Sequence, residues 1–105
     1  MKLLIITSLK DYQKEAIKLF HKAGIKVFSV SKTMGFKGDD SANLMDSWFS
    51  NDAEYFDSIV LFSFTTDEKS SHALELVNLY NTESKNKFPI RAFIMSIEKA
   101  SYQIS

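Results

Sequence analysis

The chain is 105 residues long, 45% apolar and 25% charged, with 13 basic and 13 acidic side chains and no cysteine. That length supports one domain around one core. The charge balance argues against a nucleic-acid binder with a broad basic face, and the missing thiols remove disulfides, zinc–thiolate sites and thiol catalysis.

The neutrality hides a split. Between residues 37 and 57 stand Asp39, Asp40, Asp46, Asp52, Glu54 and Asp57 against Lys37 alone, so the rest of the chain is net basic. Such a segment can stay solvated, pair with the basic body, or meet a basic partner or cation. The lack of cysteine suits a cytoplasmic protein. The early apolar run Leu3-Leu4-Ile5-Ile6 is too short for a leader or a membrane span.

In chain order, residues 2–8 are apolar on both faces and predict a buried strand. Asp11 is the expected N-cap of a helix reaching about residue 23, with Tyr12, Ala16, Ile17 and Phe20 as its apolar stripe. Gly24 suits the left-handed residue that ends a helix. Residues 25–34 alternate and carry β-branched and aromatic side chains, which predicts a strand closed by a break between Gly35 and Gly38. After the acidic segment, residues 58–65 predict a third strand. Thr66 or Asp67 then caps a helix to about residue 80 that buries Ala73, Leu76, Val77 and Tyr80. Residues 81–87 read as a polar connection, Pro89 forbids helix, and residues 90–97 form the last strand.

The order βαββαβ predicts one α+β ferredoxin-like sandwich over residues 1–105, a four-stranded antiparallel sheet with both helices on one side. Two helices cover only one face, yet the strands are apolar on both. Phe28 and Val30 oppose Val27; Val60, Phe62 and Phe64 oppose Ile59 and Leu61; Phe93 and Met95 oppose Ile94. An uncovered antiparallel face alternates to polar, so the second face is expected to be sealed by other copies of the chain.

No catalytic pattern stands out. His21 and His72 sit on different helices without ligand spacing, and no G-x-S-x-G elbow exists. Asp39-Asp40-Ser41-Ala42-Asn43 fails as a calcium loop, because Leu44 occupies the glycine position and no bidentate Glu follows. No metal ligand set is assigned; Met34 and Met95 fall on strands, where packing explains them. Trp48-Phe49 is different: two large aromatics in an acidic loop are expected to fold back, to dock on a neighbouring subunit, or to anchor a partner. Gly35-Phe36-Lys37-Gly38 offers backbone amides and a cation near a strand end, suited to capturing an anion.

Together these features resemble the PII-like signalling superfamily. Gly35-Phe36 matches the opening of its T-loop, here residues 37–57, and Ile97-Glu98 matches the apolar–acidic pair that ends its last core strand. Ser47-Trp48-Phe49, Ser58-Ile59-Val60-Leu61-Phe62 and Ile97-Glu98-Lys99 resemble a divergent branch linked to heavy-metal efflux transporters. The resemblance implies a cytoplasmic homotrimer without catalysis. A small molecule or ion would bind between subunits, and the loop would control a membrane transporter. Carried over by position, the ligand contacts are Ser29, Gly35, Phe36, Lys37, Gly38, Phe64 and Arg91, with Trp48 and Phe49 as the partner contacts. An adenine nucleotide is the family's ligand, but here the departures matter. The connection Glu83-Ser84-Lys85-Asn86-Lys87-Phe88-Pro89 has no glycine, and Tyr102-Gln103-Ile104-Ser105 lacks the Arg-x-Arg pair. The T-loop glutamine has no counterpart, and Tyr55 does not match the modified tyrosine. Fewer amides and guanidiniums neutralise a triphosphate poorly.

Two other readings stand beside this one. A constitutive interaction module would bind its partner with an empty cleft. A small α+β-barrel enzyme would draw on Ser29, Ser31, Ser63 and Ser96, a thin polar set. Divalent-ion tolerance trimers differ in motif, and RNA-recognition domains need a basic–glycine–aromatic signature missing here.

Overall fold

The computed structural model describes residues 1–36, 55–84 and 89–101. Four strands form one sheet: β1 (Lys2–Leu9), β2 (Ser29–Phe36), β3 (Tyr55–Thr65) and β4 (Arg91–Ser96), all pairing antiparallel in the order β2-β3-β1-β4. Helices α1 (Gln13–Lys22) and α2 (Asp67–Ser84) follow β1 and β3. This is the predicted ferredoxin-like sandwich.

Paired residues in an antiparallel ladder share a face, and faces alternate along each strand. The register therefore sorts the side chains. Leu4, Ile6 and Ser8 of β1 pair with Ser63, Leu61 and Ile59 of β3, and Leu4 and Ile6 pair with Ile94 and Ala92 of β4, all on the helix side. Leu4, Ile6, Ile59 and Leu61 are fully buried there under Ala16, Leu19 and Phe20 of α1 and Ala73 and Val77 of α2. Each such aliphatic side chain contributes about 1.5–3 kcal/mol by leaving water. The expected stripes hold, with Tyr12, Ile17, Leu76 and Tyr80 partly buried against this core and Leu19 added to it.

Gly24 ends α1 as expected. Its φ is +81°, its N–H donates to the His21 carbonyl at 3.0 Å, and the Ile25 N–H donates to the Phe20 carbonyl at 3.0 Å. That pair of bonds is a Schellman closure. It also explains why β2 begins at Ser29 and not at residue 25. Ile25 commits its N–H to the helix end and buries its side chain, while Phe28 stacks on Phe20 with centroids 4.7 Å apart. Ser63 Oγ then donates to the Val27 carbonyl at 2.7 Å, fixing the approach to the strand.

Three other expectations are corrected. Asp11 is no N-cap: it lies in a 3-10 turn, Lys10–Tyr12, and α1 starts after Tyr12 without a side-chain cap. Gly35 and Phe36 do not open a loop. They continue β2, pairing with Phe56 and Tyr55, so β3 starts three residues before the expected residue 58. Helix α2 runs four residues past 80, since no breaker precedes Pro89 and the Thr82 hydroxyl bonds back to the Asn78 carbonyl. The Thr66 cap is present: its Oγ1 accepts from the Lys69 N–H at 3.1 Å.

Candidate functional site

The sheet's other face carries Leu3, Phe64 and Met95 in one row and Ile5, Phe62, Phe93 and Ser29 in the next. None of these is buried, and Phe64 and Met95 are 58% and 47% exposed. Phe62 and Phe64 meet edge to face at 6.4 Å. Among the described residues no helix lies over this surface, because α1 and α2 both pack on the opposite side. It is the contiguous apolar face that the strand pattern predicted.

The expected ligand contacts map onto this face and its margins. Ser29 opens β2, exposed, opposite Phe62, and Phe64 is its diagonal neighbour. Gly35 and Phe36 sit at the far end of the same strand, roughly 20 Å from Ser29 at about 3.3 Å per residue. Arg91 begins β4, opposite Thr7, on the other edge of the sheet. Three strand spacings, about 14 Å, separate that edge from β2. One chain therefore brings Ser29 and Phe64 together and leaves Gly35 and Arg91 apart from them. Lys37, Gly38, Trp48 and Phe49 lie outside the described residues.

Arg91 belongs to a row that runs Arg91, Thr7, Val60, Ser31 across the sheet. The next row on this face holds Leu9, Ser58 and Thr33. Thr7 and Ser58 are buried, at 0% and 1% exposure, and among the described residues Ser58 Oγ has no hydrogen-bond partner. A buried hydroxyl left unpaired costs about 1–3 kcal/mol. The face thus divides into an apolar part and a polar end near Arg91.

The chain that leads into Arg91 is held by a device the sequence did not disclose. Asn81 Nδ2 donates to the Ile90 carbonyl at 2.7 Å, and the Ile90 N–H donates to Asn81 Oδ1 at 3.0 Å. Both bonds of a backbone unit thus go to one side chain, and the buried Ile90 anchors the start of β4. The sequence offered only an asparagine in a polar stretch, nine residues away.

The serines do not form a catalytic group. Ser63 lies on the helix side and bonds to Val27, Ser96 accepts from Lys2 Nζ at 2.8 Å, and Ser29 and Ser31 are exposed on the other face. His21 rests against the Phe28 ring at 5.8 Å. His72 joins Ala23, Thr66, Glu68 and Lys69 around a surface pocket of about 430 Å³, which contains none of the expected contacts. Among the described residues no three His, Cys, Asp or Glu side chains gather as a metal site. No described helix is long and apolar enough to cross a membrane.

No protein-family model matches the chain, and no curated protein matches it in sequence. Solved structures do match in fold. A DUF3240-family protein from Shewanella baltica superposes with a TM-score of 0.63 and 14% identity, covering 98% of this chain and 96% of that one. A PII-like signalling protein from Thermus thermophilus gives 0.58 and 16%, covering 90% and 83%. The nitrogen regulatory PII-like protein CPII of Thiomonas intermedia, bound to ADP, AMP and bicarbonate, gives 0.58 and 14%, covering 94% and 93%. The chain has the PII-like fold.

Proposed function

We propose that this PII-like domain is a non-catalytic regulator that works as a homotrimer. Its ligand, a small molecule or ion, sits in the clefts between subunits. The observation that carries the reading is an apolar face that no described helix covers, with Leu3, Ile5, Phe62, Phe64, Phe93 and Met95 in continuous rows. Burying it between copies removes the exposure and gives each seam two sheet margins. The Ser29–Phe64 corner of one subunit then meets the Arg91 edge of the next, which joins contacts that a single chain holds apart. Gly35, Phe36, Lys37 and Gly38 complete the cleft where the chain leaves β2.

In this reading ligand occupancy biases residues 37–54, and Trp48 and Phe49 engage or release a partner, a membrane transporter, from the cytoplasmic side. A ligand acts only through its different affinity for the two loop states. Among ligand classes, a small anion such as bicarbonate or a nucleotide with few phosphates fits the charge best. The glycine-free approach to β4 and the single arginine of the chain neutralise a triphosphate poorly. CPII, of similar fold, holds ADP, AMP and bicarbonate, which makes these three the probes to use.

Isothermal calorimetry of the purified protein against ADP, AMP and bicarbonate tests the reading. One of them should bind, lose at least about tenfold in affinity on Arg91→Ala, and alter proteolysis of residues 37–54. Binding of none, with a partner captured through Trp48 and Phe49 regardless, would establish the constitutive module instead. The extension of α2 to Ser84, which shortens the connection before β4, favours that second reading.

A further inference from the structure

Lysines recur at every fourth position through the first helical segment: Lys10, Lys14, Lys18 and Lys22, followed by Lys26. All five are exposed. A four-residue step along an α-helix rises about 6 Å and turns about 40° past a full turn, so Lys14, Lys18 and Lys22 of α1 form one gently winding stripe roughly 12 Å long, with Lys10 in the 3-10 turn just before it. Two acids share the segment, Asp11 and Glu15, and Glu15 turns Oε2 out of solvent. Among the described residues no hydrogen bond or ion pair engages the ammonium group of any of the five lysines.

The stripe has a definite place in the fold. Leu9, at the end of β1, pairs with Ser58, which in turn pairs with Thr33 near the exit of β2. Lys10 therefore stands at the end of the sheet where the chain leaves Phe36 and re-enters at Tyr55. At the other end of the stripe Lys26 adjoins Val27, an apolar side chain that is 84% exposed. The neighbouring helix is opposite in sign, with Asp67, Glu68, Glu75 and Glu83 against Lys69.

From this we propose that the lysine stripe of the α1 segment is a docking surface for an anionic lipid bilayer. Ammonium groups on flexible stems are hydrated point charges that answer to charge density and impose little geometry. The stripe holds no arginine fork and no cleft, so it has nothing with which to read a peptide or a base. A bilayer supplies dense charge on a broad plane and accepts an apolar side chain beside it. The acidic helix confines the attraction to the α1 side. The inference goes beyond the regulator reading and does not need a ligand, although it would place the loop end of the sheet near a membrane partner.

The test is cosedimentation of the full chain with vesicles. Vesicles of equal phosphatidylcholine and phosphatidylglycerol should bind it, and pure phosphatidylcholine should not. Raising salt toward 1 M, where the screening length falls to about 3 Å, should release it. The triple variant Lys14→Gln, Lys18→Gln, Lys22→Gln should bind at least about tenfold more weakly, with an unchanged circular dichroism spectrum. The control Lys2→Gln, Lys32→Gln, Lys99→Gln should bind within about twofold of the parent, since those charges lie off the stripe. If the triple variant misfolds, Lys18→Glu alone should still weaken binding. Equal binding to both vesicle types, undiminished binding by a folded stripe variant, or tighter capture by duplex DNA than by anionic vesicles would overturn the proposal. Loss of ligand binding or of trimer formation in other variants leaves it standing, which separates its failure from that of the regulator.

Discussion

The two faces of one sheet are built from the same residue types and meet different fates. Leu61 and Phe62 are neighbours in β3; the first is fully buried under the helices, the second only half-buried on the other side. In β4 Ile94 and Phe93 stand on opposite faces, across from Leu4 and Ile5, and both are half-buried. Apolar side chains on both faces of an antiparallel sheet imply two coverings. The chain supplies one covering from α1 and α2. No described helix supplies the other, and in the proposed assembly further copies of the chain provide it.

Substitutions that sharpen the contrast fall in order of size. Leu61→Ala removes a buried side chain from the helix side and should cost about 2–5 kcal/mol in urea unfolding. Asn81→Ala orphans the N–H and C=O of buried Ile90, so about 1–3 kcal/mol should be lost, with hydrogen-exchange protection falling first at the start of β4. Gly24→Ala has room for its methyl group, whose nearest neighbour is Lys69 Cε at 3.7 Å. The positive φ alone should then cost about 1–2 kcal/mol. Phe62→Ser should be the mildest for the isolated protomer, below about 1 kcal/mol of change at high dilution. On sedimentation, however, it should shift the protein from the assembled to the single-chain mass. If Phe62→Ser instead destabilised the dilute protomer as much as Leu61→Ala, the two faces would be equally internal and the contrast would be void.

The fold was legible wherever the physics is local. Short apolar and β-branched runs, alternating in residues 25–34, located all four strands, and Gly24 marked a helix end because only its backbone takes a positive φ cheaply. Legibility failed where a distant partner decides. Gly35 reads as a breaker until Phe56 is found opposite it, and Asp11 reads as a cap until the 3-10 turn moves the start of α1 beyond Tyr12. The apolar second face could be read from Phe62, Phe64, Phe93 and Met95. The amide clip of Asn81 on Ile90 could not, since nothing in the residues between them signals it. Resemblance gave the site residues Ser29, Phe64 and Arg91. That Arg91 stands apart from Ser29 and Phe64 within one chain needed the sheet order, with β2 and β4 on opposite edges.

Sedimentation velocity of the unmodified protein at micromolar concentration tests the central claim most directly. The account predicts a species of three times the 12.0 kDa chain, dispersed by Phe62→Ser. A stable particle of single-chain mass, with Phe64 and Met95 left in water, would contradict it.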